Sequence, residues 1–176
     1  MTFTDDDLFA ALGNFLTLVL PTGTDVLQGQ ANRVAEPTGQ NFVVMWPTGR
    51  ARLSTNTKAT AGPPPGPSPD GTVTFTQATE FQVQIDAHGE RGADNAQIIT
   101  TLLRSPSAVD QMGPTVAPLF TSDPTQMPFL NGEQEYEDRW VILAHFQANP
   151  AVSTPAQFAD TLTAIIATPA DIRRVA

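Results

Sequence analysis

The chain has 176 residues, enough for one domain with its own core. Apolar residues make up 40% of it and charged residues only 15%, so the surface must rely on Thr, Gln, Asn and Ser, a composition suited to lasting protein contacts. Eighteen acids against nine bases leave a net charge of −9, which argues against phosphate-backbone binding, and the lack of cysteine excludes disulfides, thiol nucleophiles and thiolate metal sites.

The chain opens on Met1-Thr2-Phe3-Thr4-Asp5-Asp6-Asp7, acidic where a secretory signal needs positive charge. Thr4 with Asp7 three residues on predicts a capping box. Leu8, Leu12, Phe15, Leu16 and Val19 then form one apolar stripe, predicting an amphipathic helix over about 6–20, stopped by Pro21 and Gly23. Its apolar run from Phe15 to Leu20 falls short of the roughly 20 residues a bilayer span takes, so a soluble protein made in a cytoplasm is expected.

Val26-Leu27 can open a short strand. The apolar run Phe42–Trp46 predicts a central strand buried on both faces, continuing past Pro47 and Gly49 through Arg50–Thr55. A Pro/Gly-rich loop insertion is expected at 59–71. Thr72–Asp86 alternates, with Val73, Phe75, Phe81, Val83 and Ile85 on the dry side; it reads as a long strand, or as two with a break near Gln77-Ala78. Gly89 and Gly92 end it. Ala96, Ile99, Leu102 and Leu103 predict a second amphipathic helix over about 92–104.

Ser105–Pro128 reads as irregular, with Val116–Phe120 a short edge strand. Glu135–Ala148 predicts another long strand, with Trp140, Ile142, Ala144 and Phe146 on one side, ended by Asn149-Pro150. The stretch 157–167 fits either a helix or a strand. Trp46 and Trp140 read as core residues, with interface anchors the alternative. The elements add up to one α+β domain over 1–176: a mixed, mostly antiparallel sheet with two amphipathic helices packed on it.

Few residues suggest chemistry. Asp86, His88 and Glu90 stand at alternate positions near a strand end, where one metal ion could in principle meet all three. The alternative is a solvated strand-to-helix turn. His145, inside an apolar strand, reads as a hydrogen-bonded sheet histidine. No serine sits in a nucleophile elbow, and Gly62–Gly66 lacks phosphate-loop spacing. No cofactor is expected.

The strings Gly29–Pro37, Phe42–Pro47, Tyr136–Trp140, Gln147–Pro150 and Pro155–Asp160 together resemble the neck or tail terminator proteins of tailed bacteriophages. The resemblance spans most of the chain and is weakest at the Pro-rich insert. It implies a structural virion protein without catalysis. It further implies a homo-oligomeric ring, usually of six copies, that ends the tail tube and meets the head-side connector, with DNA only passing through the lumen and no membrane. It tips 157–167 towards a strand at Leu162–Ile166. It places Asn32 and Arg33 in the ring-building region, where a contact across subunits stands against an intrachain salt bridge. Glu135, Glu137 and Asp138 read as a solvated face or a subunit contact, and with Arg139 they complete the candidate subunit-interface set. Another virion part, for head completion or the baseplate, is the near alternative, and a small metal-dependent hydrolase around Asp86, His88 and Glu90 the distant one.

Overall fold

The computed structural model describes residues 2–29, 37, 39–63, 70–130 and 136–157. They fall into two compact units, one within Met1–Thr57 and Phe75–Val152, the other within Lys58–Thr74 and the chain from Ser153.

In the first unit, helix α1 (Asp5–Val19) starts where the sequence predicts. The Asp7 amide donates to the Thr4 hydroxyl, and the Asp7 carboxylate accepts from the Thr4 amide at 2.7 Å. The box satisfies two otherwise orphaned groups, and three aspartates favour the positive end of the helix. Strands β1 (Asp25–Gln28) and β2 (Phe42–Arg52) follow and pair in parallel.

Two strands lie largely in the second unit. β3 (Thr57–Ala61) and β4 (Asp70–Thr76) flank the Pro-rich stretch, so 59–61 and 70–71 of the loop expected at 59–71 are strand, and 64–69 lie outside the described residues. The Thr57–Ala61 stretch escapes a sequence reading because it has no apolar alternation, and its side chains are exposed.

Back in the first unit, β5 (Thr79–His88) begins after the break at Gln77-Ala78. Helix α2 (Gly92–Leu103) follows. Helix α3 (Pro106–Met112) corrects the irregular reading of 105–128, because Pro106 occupies the first helical turn, where its missing N–H costs nothing. Strand β6 (Ala117–Thr121) is the expected edge strand. The short strands β7 (Thr125–Gln126), β8 (Phe129–Leu130) and β9 (Tyr136–Glu137) lead to β10 (Arg139–Ala148). The long strand expected over 135–148 is thus broken at Asp138, whose carbonyl accepts the Gly89 amide at 3.1 Å.

The main sheet runs β1-β2-β5-β10-β6, with β7 also on β10. All its pairings except β1 with β2 are antiparallel. The fold is α+β with mostly antiparallel sheet, and both predicted amphipathic helices are present.

Helix residues Leu8, Leu12, Phe15, Leu16, Ala96, Ile99 and Leu103 form one core with Val43, Met45, Val83, Ile85, Ile142, Ala144 and Phe146 of the sheet. Each fully buried Leu or Phe contributes about 1.5–3 kcal/mol. The strand Phe42–Trp46 is not buried on both faces as expected: Val43 and Met45 are buried, whereas Phe42, Val44 and Trp46 are half-buried on the opposite face. Both tryptophans are half-buried.

A three-stranded sheet of order β11-β4-β3, where β11 is Ala151–Gln157, makes up the described part of the second unit with its residues 58–63, 70–74 and 153–157, while Thr57, Phe75, Thr76, Ala151 and Val152 belong to the first. Nothing in the sequence announced β11, because Pro155 argues against a strand; as an edge strand it tolerates the missing donor. Phe75, expected on the dry side, is exposed, because the break at Gln77-Ala78 places it in β4 instead of on the face of β5. The strand or helix expected at 157–167 lies almost wholly outside the described residues.

Candidate functional site

The face of the main sheet opposite Val83 and Ile85 carries a row of polar groups along β5. Glu80, Gln82, Gln84, Asp86 and His88 share that face by strand alternation. Gln82 Nε2 donates to Glu80 Oε1 at 3.0 Å, and His145 Nδ1 meets the same oxygen at 2.8 Å. The Gln82 hydrogen bond first, and the His145 one second, hold the Glu80 carboxyl below its usual range. His145 is the hydrogen-bonded sheet histidine the sequence suggested.

Further along, Gln84 Nε2 donates to Asp86 Oδ1 at 2.8 Å, and Arg139 Nη2 to Asp86 Oδ2 at 2.7 Å. Asp86 is thereby committed to an ion pair. The His88 ring stacks on Phe42 with centroids 4.5 Å apart, and Glu90 is exposed in the turn. Asp86, His88 and Glu90 do not converge, and no cluster of three or more metal-ligating side chains occurs among the described residues.

The edge formed by β6 and β7 has a different character. Both strands pair with β10, β6 at Ala144–Gln147 and β7 at Trp140–Val141. Leu119, Phe120 and Met127 are exposed there. Phe120 is opposite His145, and the two rings stack with centroids 3.9 Å apart. Arg104 ties the end of β6 to α2: it donates to the Thr121 hydroxyl and carbonyl and to Asp123 Oδ1, at 3.0, 2.9 and 2.8 Å. A sheet edge with exposed apolar side chains is a template for another chain.

Of the candidate interface residues, Asn32, Arg33 and Glu135 lie outside the described residues. Glu137 belongs to β9, its backbone in register with Phe129. Asp138 is exposed beside the β7 edge and accepts from Gln126 Nε2 at 3.0 Å. Arg139 is engaged within the chain by Asp86. The sequence suggests Val116–Phe120 as an exposed sheet edge, the stretch that holds Leu119 and Phe120, but gives no sign of Met127. An apolar pair in a strand that also holds Pro118 was the available signal, since Pro confines such a strand to an edge.

The sequence profile of the phage neck terminator protein family matches residues 6–172. The chain belongs to this family. No curated protein matches it at a significant level. A phage neck terminator protein is a structural component of the virion, and its partners are found in virion assembly. Among the described residues of this family member, no helix is long and apolar enough to cross a membrane.

Proposed function

We propose that the chain closes into a ring that ends the tail tube and joins it to the head-side connector. Family membership makes it a neck component. The observation that favours a ring is the main sheet's pair of unlike edges, β1 at one end and the apolar β6/β7 edge at the other. Identical subunits that join through two different patches form a closed ring when the rotation per subunit closes. Six copies is the number the family resemblance implies.

In this reading one face of the ring caps the tail tube and the other meets the connector, and no catalysis is involved. The net charge of −9 repels DNA phosphates, so DNA slides through the lumen without sticking. Asp138 at the β7 edge is the member of the candidate set best placed for a contact between subunits. The subunit is made in the host cytoplasm and ends in the virion.

Native mass spectrometry of the purified chain, followed by electron microscopy, tests the assembly. One closed oligomer with a central hole is expected. A strict monomer at all concentrations would remove the ring from the account.

A further inference from the structure

The far end of β2 carries cations that the β6/β7 edge does not use. Pro47 is opposite Val83 and Gly49 opposite Gln82, so Thr48 is an extra residue in β2. Such a bulge shifts the side-chain alternation by one. Before it, Val43 and Met45 reach the helix-covered core. After it, Arg50 and Arg52 take that side of the strand, opposite Phe81 and Thr79.

The two arginines, with Phe75, Phe81, Pro150 and Val152, line a groove of about 420 Å³. Arg50 is occupied, ion-paired to Asp5 and lying 4.9 Å over the Phe81 ring. Arg52 is exposed and makes no ion pair or side-chain hydrogen bond among the described residues. Phe75 and Val152 leave 41% and 49% of their surfaces open. A spare guanidinium beside exposed apolar surface suits a segment that carries both apolar side chains and a carboxylate. With acids outnumbering bases two to one, the chain itself is a ready source of that carboxylate.

We infer that this groove receives Leu119–Asp123 of a second copy of the chain. That segment offers exposed Leu119 and Phe120 and then Asp123, whose side chain is 88% exposed although Arg104 holds one of its oxygens. The three Arg104 bonds present the segment as a fixed edge, which lowers the ordering cost of docking. Two apolar side chains followed by a carboxylate complement an apolar wall followed by a guanidinium. Groove and segment are different patches of one chain, as head-to-tail closure requires. The inference rests on the ring reading, and it assigns the patch that meets the β6/β7 edge to this groove at the end of β2 and β5 instead of to the β1 edge.

Sedimentation of the full chain, at low and high salt, compares it with Arg52→Glu, Asp123→Lys and the double charge swap. Thermal melting checks each fold, and Arg52→Gln replaces Arg52→Glu if the reversed charge lowers the melting temperature. Each single change is expected to weaken self-association at least about tenfold, and the double swap to recover part of the loss. Arg52→Glu chains that assemble as well as the natural chain overturn the inference and leave the ring reading intact. Arg52→Glu rings that form normally but no longer bind tail tubes overturn it too, since the groove then serves another protein. A natural chain that never associates removes both.

Discussion

Arg139 on β10 and Asp86 on β5 close a 2.7 Å ion pair on the face of the sheet opposite the helix core, with the Asp86 side chain only 3% exposed. Gln84 satisfies the other carboxylate oxygen. Removing the arginine leaves a buried carboxylate with one neutral partner, so Arg139→Ala is expected to cost about 3 kcal/mol in urea unfolding. Replacing both residues by leucine is expected to cost far less, because no charge is then stranded. Equal losses in the single and double variants would show that the pair is not the cause.

The capping box at the start of α1 is a separate, local feature. Thr4→Ala is expected to cost about 1 kcal/mol. The side-chain hydrogen bond from Thr4, and then its backbone amide, hold the Asp7 carboxyl below the usual aspartate range. A depressed folded value means that the contribution is complete above the unfolded pKa and fades as pH falls through the folded one. Acid titration of helicity is expected to show a smaller loss in Thr4→Ala than in the natural chain, because the substituted cap has less to lose.

Gly89 has a φ of +91°, and a Cβ there would stand 1.9 Å from the Gln40 carbonyl oxygen. Both the left-handed backbone and the collision oppose any side chain. Gly89→Ala is expected to lower the thermal midpoint by more than Gly62→Ala, a site where no atom of the described residues stands within 4 Å of the added carbon. Equal midpoints would mean that the turn between β5 and α2 rebuilds without strain.

The Glu80–His145 contact gives a second pH dependence. Glu80 is held below its usual range by Gln82 and then His145, so it favours the folded state above the unfolded glutamate value and loses that effect as the pH falls. Glu80→Gln is expected to flatten the fall in stability as the pH drops below the ordinary glutamate value. Stability measured by denaturant titration across that range checks it; an unchanged slope would place the acid sensitivity elsewhere.

Periodic segments were legible and aperiodic ones were not. The stripe Leu8, Leu12, Phe15, Leu16 announced α1, and Phe81, Val83, Ile85 announced β5, because each buries one continuous face. Helix α3 was hidden by Pro106, which reads as a breaker although it also starts helices, and β11 by Pro155, which an edge strand accepts. Asp86, His88 and Glu90 suggested either a metal site or a solvated turn, because alternate strand residues share a face. The actual partners of Asp86 and His88, Arg139 and Phe42, come from neighbouring strands that no local pattern reveals. Arg50 and Arg52 were passed over for a similar reason, since the bulge at Thr48 sets their side of the strand and only pairing shows it.

The most direct test of the central claim is a tail-tube assembly reaction, with tube protein polymerised in the presence and absence of this chain and the tubes imaged. Tube growth is expected to stop, with added ring density at one tube end only. Tubes of unchanged length with no bound chain at either end would contradict the claim.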